Sequence, residues 1–190
     1  MTTPSRAASD AEILRRSRLD AAAFGELFDR HAAAVHRFLV RRIDRRAADD
    51  LLSEVFLHAL EARARVRPHE SGSALPWLYG IARNVIRSHL RSRDRPGLAA
   101  EDEHVDWDAV DDRLDAGILA RDLRHALSTL TGIEREVLLL VSWEQLTITE
   151  AAAALGISTT AARSRLHRAR ARATAALAAM PNATHPQETS

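Results

Sequence analysis

Apolar residues recur along this chain mostly at steps of three and four, the spacing that gathers side chains on one face of an α-helix. From about 11 to 42, Phe24, Leu27, Phe28, Val35, Phe38 and Leu39 fit one buried side spread over two helices. A polar break at IDRRAAD precedes a third helix, about 47–64, whose apolar side is Leu51, Leu52, Val55, Phe56, Ala59 and Leu60. Asp50, Glu54 and His58 follow one another at i, i+4 and i+8 on its opposite side, with Leu57 among them. The Pro and Gly of RPHESGSA (67–74) mark a loop. A long fourth helix, 75–93, comes next and ends at RDRPG (93–97). Its apolar side is Leu78, Ile81, Ala82, Val85, Ile86 and Leu90, while Arg83, Asn84, Arg87, Ser88 and Arg91 share an arc of roughly 140°. Trp77 projects onto that polar arc too, provided the helix runs unbroken through Gly80. Helical patterning resumes near 117 and continues to about 179. No internal repeat and no strand pattern appears.

Residues 147–174 carry the most specific local signals. Thr147 is placed to cap a helix, and Glu150 three residues on closes a capping box. Gly156 suits the left-handed turn that ends this helix, and Ser158 caps the next. On the second helix Ala162, Leu166, Ala169, Ala173 and Leu177 form one apolar stripe, and Thr160, Arg163, Ser164, His167 and Arg168 occupy the other arc. Two capped helices around a tight turn, the second with a packing side and a hydrogen-bonding side, make a helix-turn-helix whose second helix suits a DNA major groove.

Charge strengthens that reading. The net charge of +1 hides segregation: no acidic residue lies between Glu150 and Glu188, while Arg163, Arg165, Arg168, Arg170 and Arg172 all do. All 27 of the Lys and Arg residues are arginine, whose planar fork matches phosphate and guanine edges. Residues 99–115 carry eight acidic side chains against Arg113, the composition of a linker. The expected organisation is all-α: a tail at 1–10, a helical domain at 11–95, an acidic linker at 96–116, a helix-turn-helix domain at 117–180 and a tail at 181–190. Aromatics are only 4%, so the core is aliphatic.

Composition also narrows the chemistry. The absence of cysteine excludes disulfides, a thiolate nucleophile and zinc sites built on Cys. His31 and His36 miss the i, i+4 ligand spacing, there is no H-E-x-x-H and no Gly-rich phosphate loop. No catalytic residues, metal site or cofactor are therefore expected. The absence of a long apolar run or a signal-type N-terminus points to a cytoplasmic protein without membrane insertion. A tryptophan among arginines and an asparagine suits single-stranded nucleic acid, with a ring for stacking, an amide for a base edge and cations for phosphate. The competing reading of Trp77 is that it turns into the core at the helix start.

Four segments in order resemble the extracytoplasmic-function sigma factors, the small two-domain class of bacterial sigma factors. FGELFDRHAAAVHRFL resembles the opening helices of the sigma-2 domain, and DDLLSEVFLHAL the helix that docks on the polymerase clamp. LPWLYGIARNVIRSHLR resembles the promoter-melting helix, and LTGIEREVLLLVSWEQLTITEAAAALGISTTAARSRLHRARARA the sigma-4 domain. The resemblance implies that Asp50, Leu51, Glu54 and Phe56 belong to the polymerase-docking helix. It implies that Asn84 reads a flipped base of the −10 element, with Trp77, Arg83, Arg87 and Arg91 alongside. It assigns the duplex −35 element to Ser158, Thr160, Arg163, Ser164, His167 and Arg168. The implied partners are bacterial core RNA polymerase, promoter DNA (duplex at −35, single-stranded at −10) and an anti-sigma factor of the kind that holds many members inactive. Ser53 stands where the family usually has glutamine, and RPHESG where a Phe-Arg-Gly is common. Ala161 and Ala162 at the start of the recognition helix favour indirect readout there. The rival reading is a stand-alone helix-turn-helix regulator, which explains 147–174 equally well but not Trp77 and Asn84 on an arginine face.

Overall fold

The computed structural model describes residues 8–66, 69–93 and 118–180. Residues 1–7, the acidic stretch 96–116 and the tail 181–190 lie outside them. Every regular element among the described residues is helical: α1 (Asp10–Ser17), a 3₁₀ turn (Ala21–Phe24), α2 (Gly25–Val40), α3 (Arg45–Ala62), α4 (Leu75–Arg93), α5 (Ile118–Ser128), α6 (Gly132–Ser142), α7 (Ile148–Leu155) and α8 (Thr159–Ala178). The expected all-α fold and its helix order are found.

Local chemistry explains where these helices begin. Ser9, Asp44, Thr131, Thr147 and Ser158 each cap a helix by accepting a backbone N–H. Thr147 and Glu150 close the expected capping box, with the Thr147 amide 2.9 Å from the Glu150 carboxylate. Thr131 and Glu134 close a second one at α6. Gly156 has φ +66°, the left-handed geometry expected of it. Ser9 and Asp10, placed in a tail by sequence, instead start the fold. Asp10 is buried and accepts hydrogen bonds from His31 of α2 and from the amide of Ala74, just before α4. An aspartate close to a polar terminus gives no sequence cue that it will be buried.

Val35, Phe38 and Leu39 of α2 meet Val55 and Ala59 of α3 and Leu78, Ala82 and Ile86 of α4 in one fully buried core. Burying each large side chain contributes roughly 1.5–3 kcal/mol. Phe28 departs from expectation: it is exposed at the rim, edge-on to Phe56 at 4.8 Å. The first core does not stop at α4. Val137, Leu140, Leu146, Ala151, Ala154, Leu155 and Leu166 belong to the same cluster. The helix-turn-helix therefore packs directly on the α1–α4 bundle, an arrangement that the linker reading did not anticipate. A smaller cluster of Leu127, Leu130, Leu139 and Ala169 ties α5, α6 and α8 together. The α8 stripe is buried at Ala162, Leu166 and Ala169 but runs out beyond Ala173, and Leu177 is 37% exposed.

Candidate nucleic-acid interface

The α3 surface divides the residues expected to dock polymerase. Asp50 is exposed and Glu54 half-buried, but Leu51 and Phe56 are only 5% and 6% exposed. Those two hold the helix to the core rather than offering a contact. Leu57 is 55% exposed beside the acidic residues, so the apolar element of this face is Leu57. His58 lies 3.6 Å from Glu54 and 3.5 Å from Glu61, an acidic rim around one imidazole.

A groove of about 460 Å³ separates α3 from α4, lined among others by Glu54, His58, Glu61, Arg65, Asn84 and Ser88. Asn84 thus combines exposure with a recess beside it. Trp77 is half-buried and packs against the core cluster, so it turns partly into the core at the helix start. Arg83 and Arg87 are half-buried, and Arg91 is exposed. Burial pushes the Arg87 guanidinium below its ordinary range, Arg83 and Arg91 push it further, and Glu136 partly offsets them. The loop leading into α4 is braced locally: Gly72 takes φ +76°, the Leu75 amide donates to Ser73 Oγ at 3.2 Å, and Asp10 fixes Ala74.

On α8, Ser158, Thr160, Arg163, Ser164, His167 and Arg168 are all exposed. Arg168 also has an internal duty. Its Nε lies 3.1 Å from Glu134, whose other oxygen is 2.7 Å from Arg172 Nη1. Burial alone would raise the Glu134 carboxyl, but Arg168, the Thr131 amide and hydroxyl, and the Arg172 charge outweigh it and hold it below its ordinary range. The pair aligns α8 on α6, which sequence did not indicate.

The contact between the two halves was also missed. Arg42 is 1% exposed, its guanidinium carbon stacks 3.6 Å from the Phe38 ring centroid, and Phe38 stacks on Tyr79 at 4.7 Å. Glu144, after α6, sits 3.1 Å from Arg41, 3.5 Å from Arg42 and 3.4 Å from the Tyr79 hydroxyl. Burial and Glu144 push the Tyr79 phenol up, so it remains a donor. Glu136 stands 3.7 Å from Arg42. Pairs about a hundred residues apart leave no local trace in sequence. The one available cue was Gly80, since a glycine inside a helix signals close approach by another backbone. An ideal Cβ at Gly80 would lie 3.1 Å from the Ala154 carbonyl oxygen.

Among the described residues no cluster of His, Cys, Asp or Glu is placed to hold a metal, and no helix is long and apolar enough to cross a membrane. Residues 27–96 match the Sigma-70 region 2 family, and residues 120–172 match Sigma-70, region 4. The chain is 38% identical over 149 residues to the RNA polymerase sigma factor CarQ of Myxococcus xanthus, covering 77% of this chain and 84% of that one. It is 36% identical over 143 residues to the ECF RNA polymerase sigma factor SigC of Mycobacterium tuberculosis, covering 71% and 72%. Among solved structures it resembles CnrH in complex with the cytosolic domain of CnrY, with TM-score 0.63, 26% identity and coverage of 90% of this chain and 97% of that one. The fold is shared with the sigma factor RpoE bound to the anti-sigma factor NepR of Bartonella quintana, with TM-score 0.57, 23% identity and coverage of 82% and 97%. With both region families matched in order across α2–α4 and α5–α8, this chain belongs to the extracytoplasmic-function sigma factors.

Proposed function

We propose that this chain is an alternative sigma factor that binds bacterial core RNA polymerase and directs initiation at particular promoters. The observation that carries the reading is the pairing, in one chain, of an exposed Asn84 beside a groove on an arginine-bearing helix with a capped helix-turn-helix. Residues 11–95 would form the docking and melting domain, 96–116 the linker and 117–180 the −35 domain. Ser158, Thr160, Arg163, Ser164, His167 and Arg168 set register on duplex DNA through phosphates and a few base edges. Asn84 takes the edge of an unpaired base, and Arg83, Arg87 and Arg91 take phosphates, with Trp77 buttressing the helix start. Trapping that base offsets an unstacking cost of a few kcal/mol and so favours the melted state. Asp50, Glu54 and Leu57 face polymerase, with Leu51 and Phe56 supporting them from the core. The chain performs no covalent step itself, works in the cytoplasm where polymerase is, and is a candidate for control by an anti-sigma factor, as the complexes of its structural relatives suggest.

Run-off transcription from genomic promoter fragments tests this, using sigma-free core polymerase with and without the chain. Discrete transcripts that require the chain and fall at least tenfold with Asn84→Ala are the expected result. Tight binding to a palindrome without polymerase, and no transcript, would favour a stand-alone regulator instead.

A further inference from the structure

Glu134 stands where the packing of α8 meets its outward-facing side chains. Steps of four along α8 carry Thr160, Ser164, Arg168 and Arg172 about 40° further round the helix each time. The row starts on the outward arc and ends on the flank that meets α6. Arg168 falls between: about half of its side chain is exposed, yet its Nε donates to Glu134 Oε1 at 3.1 Å. Glu134 is itself held still. Its side chain is buried, and its Oε2 accepts from the Thr131 amide at 3.2 Å, the Thr131 hydroxyl at 3.0 Å and Arg172 Nη1 at 2.7 Å. Among the described residues the Arg168 guanidinium makes no other hydrogen bond, which leaves its Nη pair open. Those two donors match the O6 and N7 acceptors of a guanine. An unrestrained arginine gives up rotamer freedom when it binds, and one already fixed at Nε gives up less.

We propose that Glu134 is a positioning residue for −35 recognition: through the Nε of Arg168 it aims the Nη pair of that arginine at a guanine edge in the major groove. Specificity at one base pair thus depends on a buried side chain outside the recognition helix. The inference rests on reading α8 as the −35 helix. Charge alone predicts something else, because deleting a carboxylate beside two arginines would tighten binding to DNA of any sequence.

The test uses holoenzyme assembled from core polymerase and the full chain. Its template is a promoter that the chain transcribes, with the −35 element randomised and a barcode in the transcribed region reporting each sequence. Arg168→Ala should flatten one guanine preference of roughly tenfold and so mark the base pair that Arg168 reads. Glu134→Gln should flatten the same position to about twofold or less and leave the other positions unchanged. The glutamine carbonyl takes the Thr131 amide, and its NH2 cannot accept from Arg168. Adding Glu134→Gln to Arg168→Ala should change nothing more. Arg172→Ala breaks the other ion pair to the same carboxylate but should keep the preference, because Thr131 still holds Glu134. A uniform fall in transcription by Glu134→Gln with the profile intact would overturn the proposal, since lost stability would then explain it. Loss of the preference in Arg172→Ala would do the same. A wild-type holoenzyme indifferent to the randomised element would sink the −35 reading and the proposal with it, whereas a preference that survives Glu134→Gln sinks the proposal alone.

Discussion

Asp10 offers the sharpest test of how the α1–α4 half is held together. Its side chain is buried and accepts from His31 Nε2 at 2.7 Å, from the Ala74 amide at 2.7 Å and from Arg30. Burial alone would push this carboxyl up. The hydrogen bonds from His31 and Ala74, the His31 charge and the Arg30 bond outweigh it and bring the pKa from 3.8 down to about 2. A carboxyl whose folded pKa is lowered stabilises the fold above its unfolded value and loses that contribution as pH falls towards the folded value. Here the contribution is about 2 kcal/mol at neutral pH and roughly half that at pH 3. Asp10→Asn keeps the shape but not the charge. Urea unfolding of both proteins at pH 7, 4 and 3, with sucrose added throughout to keep the acid samples folded, measures the gap. The gap should be largest at pH 7, nearly unchanged at pH 4 and clearly smaller at pH 3. A gap as wide at pH 3 as at pH 7, or none at pH 7, would refute the charge-based account of this staple. Since Asp10 fixes the amide that precedes α4, Asp10→Asn should also weaken promoter opening more than −35 duplex binding.

Two further substitutions probe the helix-turn-helix. At Gly156 a Cβ would meet nothing within 4 Å, so Gly156→Ala costs only left-handed backbone strain, about 1 kcal/mol or about 3 °C in Tm. An unchanged melting curve would refute the left-handed turn. Glu134→Gln keeps the α6 cap but loses the ion pairs to Arg168 and Arg172, so urea unfolding should show a loss of about 1 kcal/mol at pH 7. That loss should vanish as pH falls below the carboxylate range, because the lowered Glu134 pKa confines its contribution to higher pH. A loss that is the same at low pH would mean packing rather than charge is responsible.

What sequence conveyed well was whatever is written in adjacent residues. The capping box at Thr147, the glycine at 156 and the cap at Ser158 are each set within three or four positions, and each took the geometry expected of it. The apolar side of α4 was equally plain, because its period is that of the helix. Contacts across long separations were not legible. Arg42 looks like an ordinary polar helix end, and nothing nearby tells that it will be buried beneath Glu144. Tyr79 was left out of the apolar side, yet it stacks in the core and points its hydroxyl at the same carboxylate. Leu51 and Phe56 show the converse limit: family likeness marks a docking helix but does not separate the residues that present it from those that anchor it.

The buried arginine at the junction bears on how easily these halves come apart. A seam made wholly of leucine would hold more firmly but would expose bare hydrocarbon on opening, and such surfaces stick to one another. Replacing buried ion pairs by apolar side chains often strengthens a contact, which shows how much solvation such pairs forgo. Here Arg42 has its Nε 3.7 Å from Glu136, within ion-pair range but beyond a hydrogen bond, and its Nη2 makes none. Were the seam to open, Arg42, Glu136 and Glu144 would regain the water they gave up, which would lower the cost of separation. The surfaces so uncovered would be partly charged rather than bare hydrocarbon. A junction built on such ion pairs costs less to part than an apolar seam of the same size.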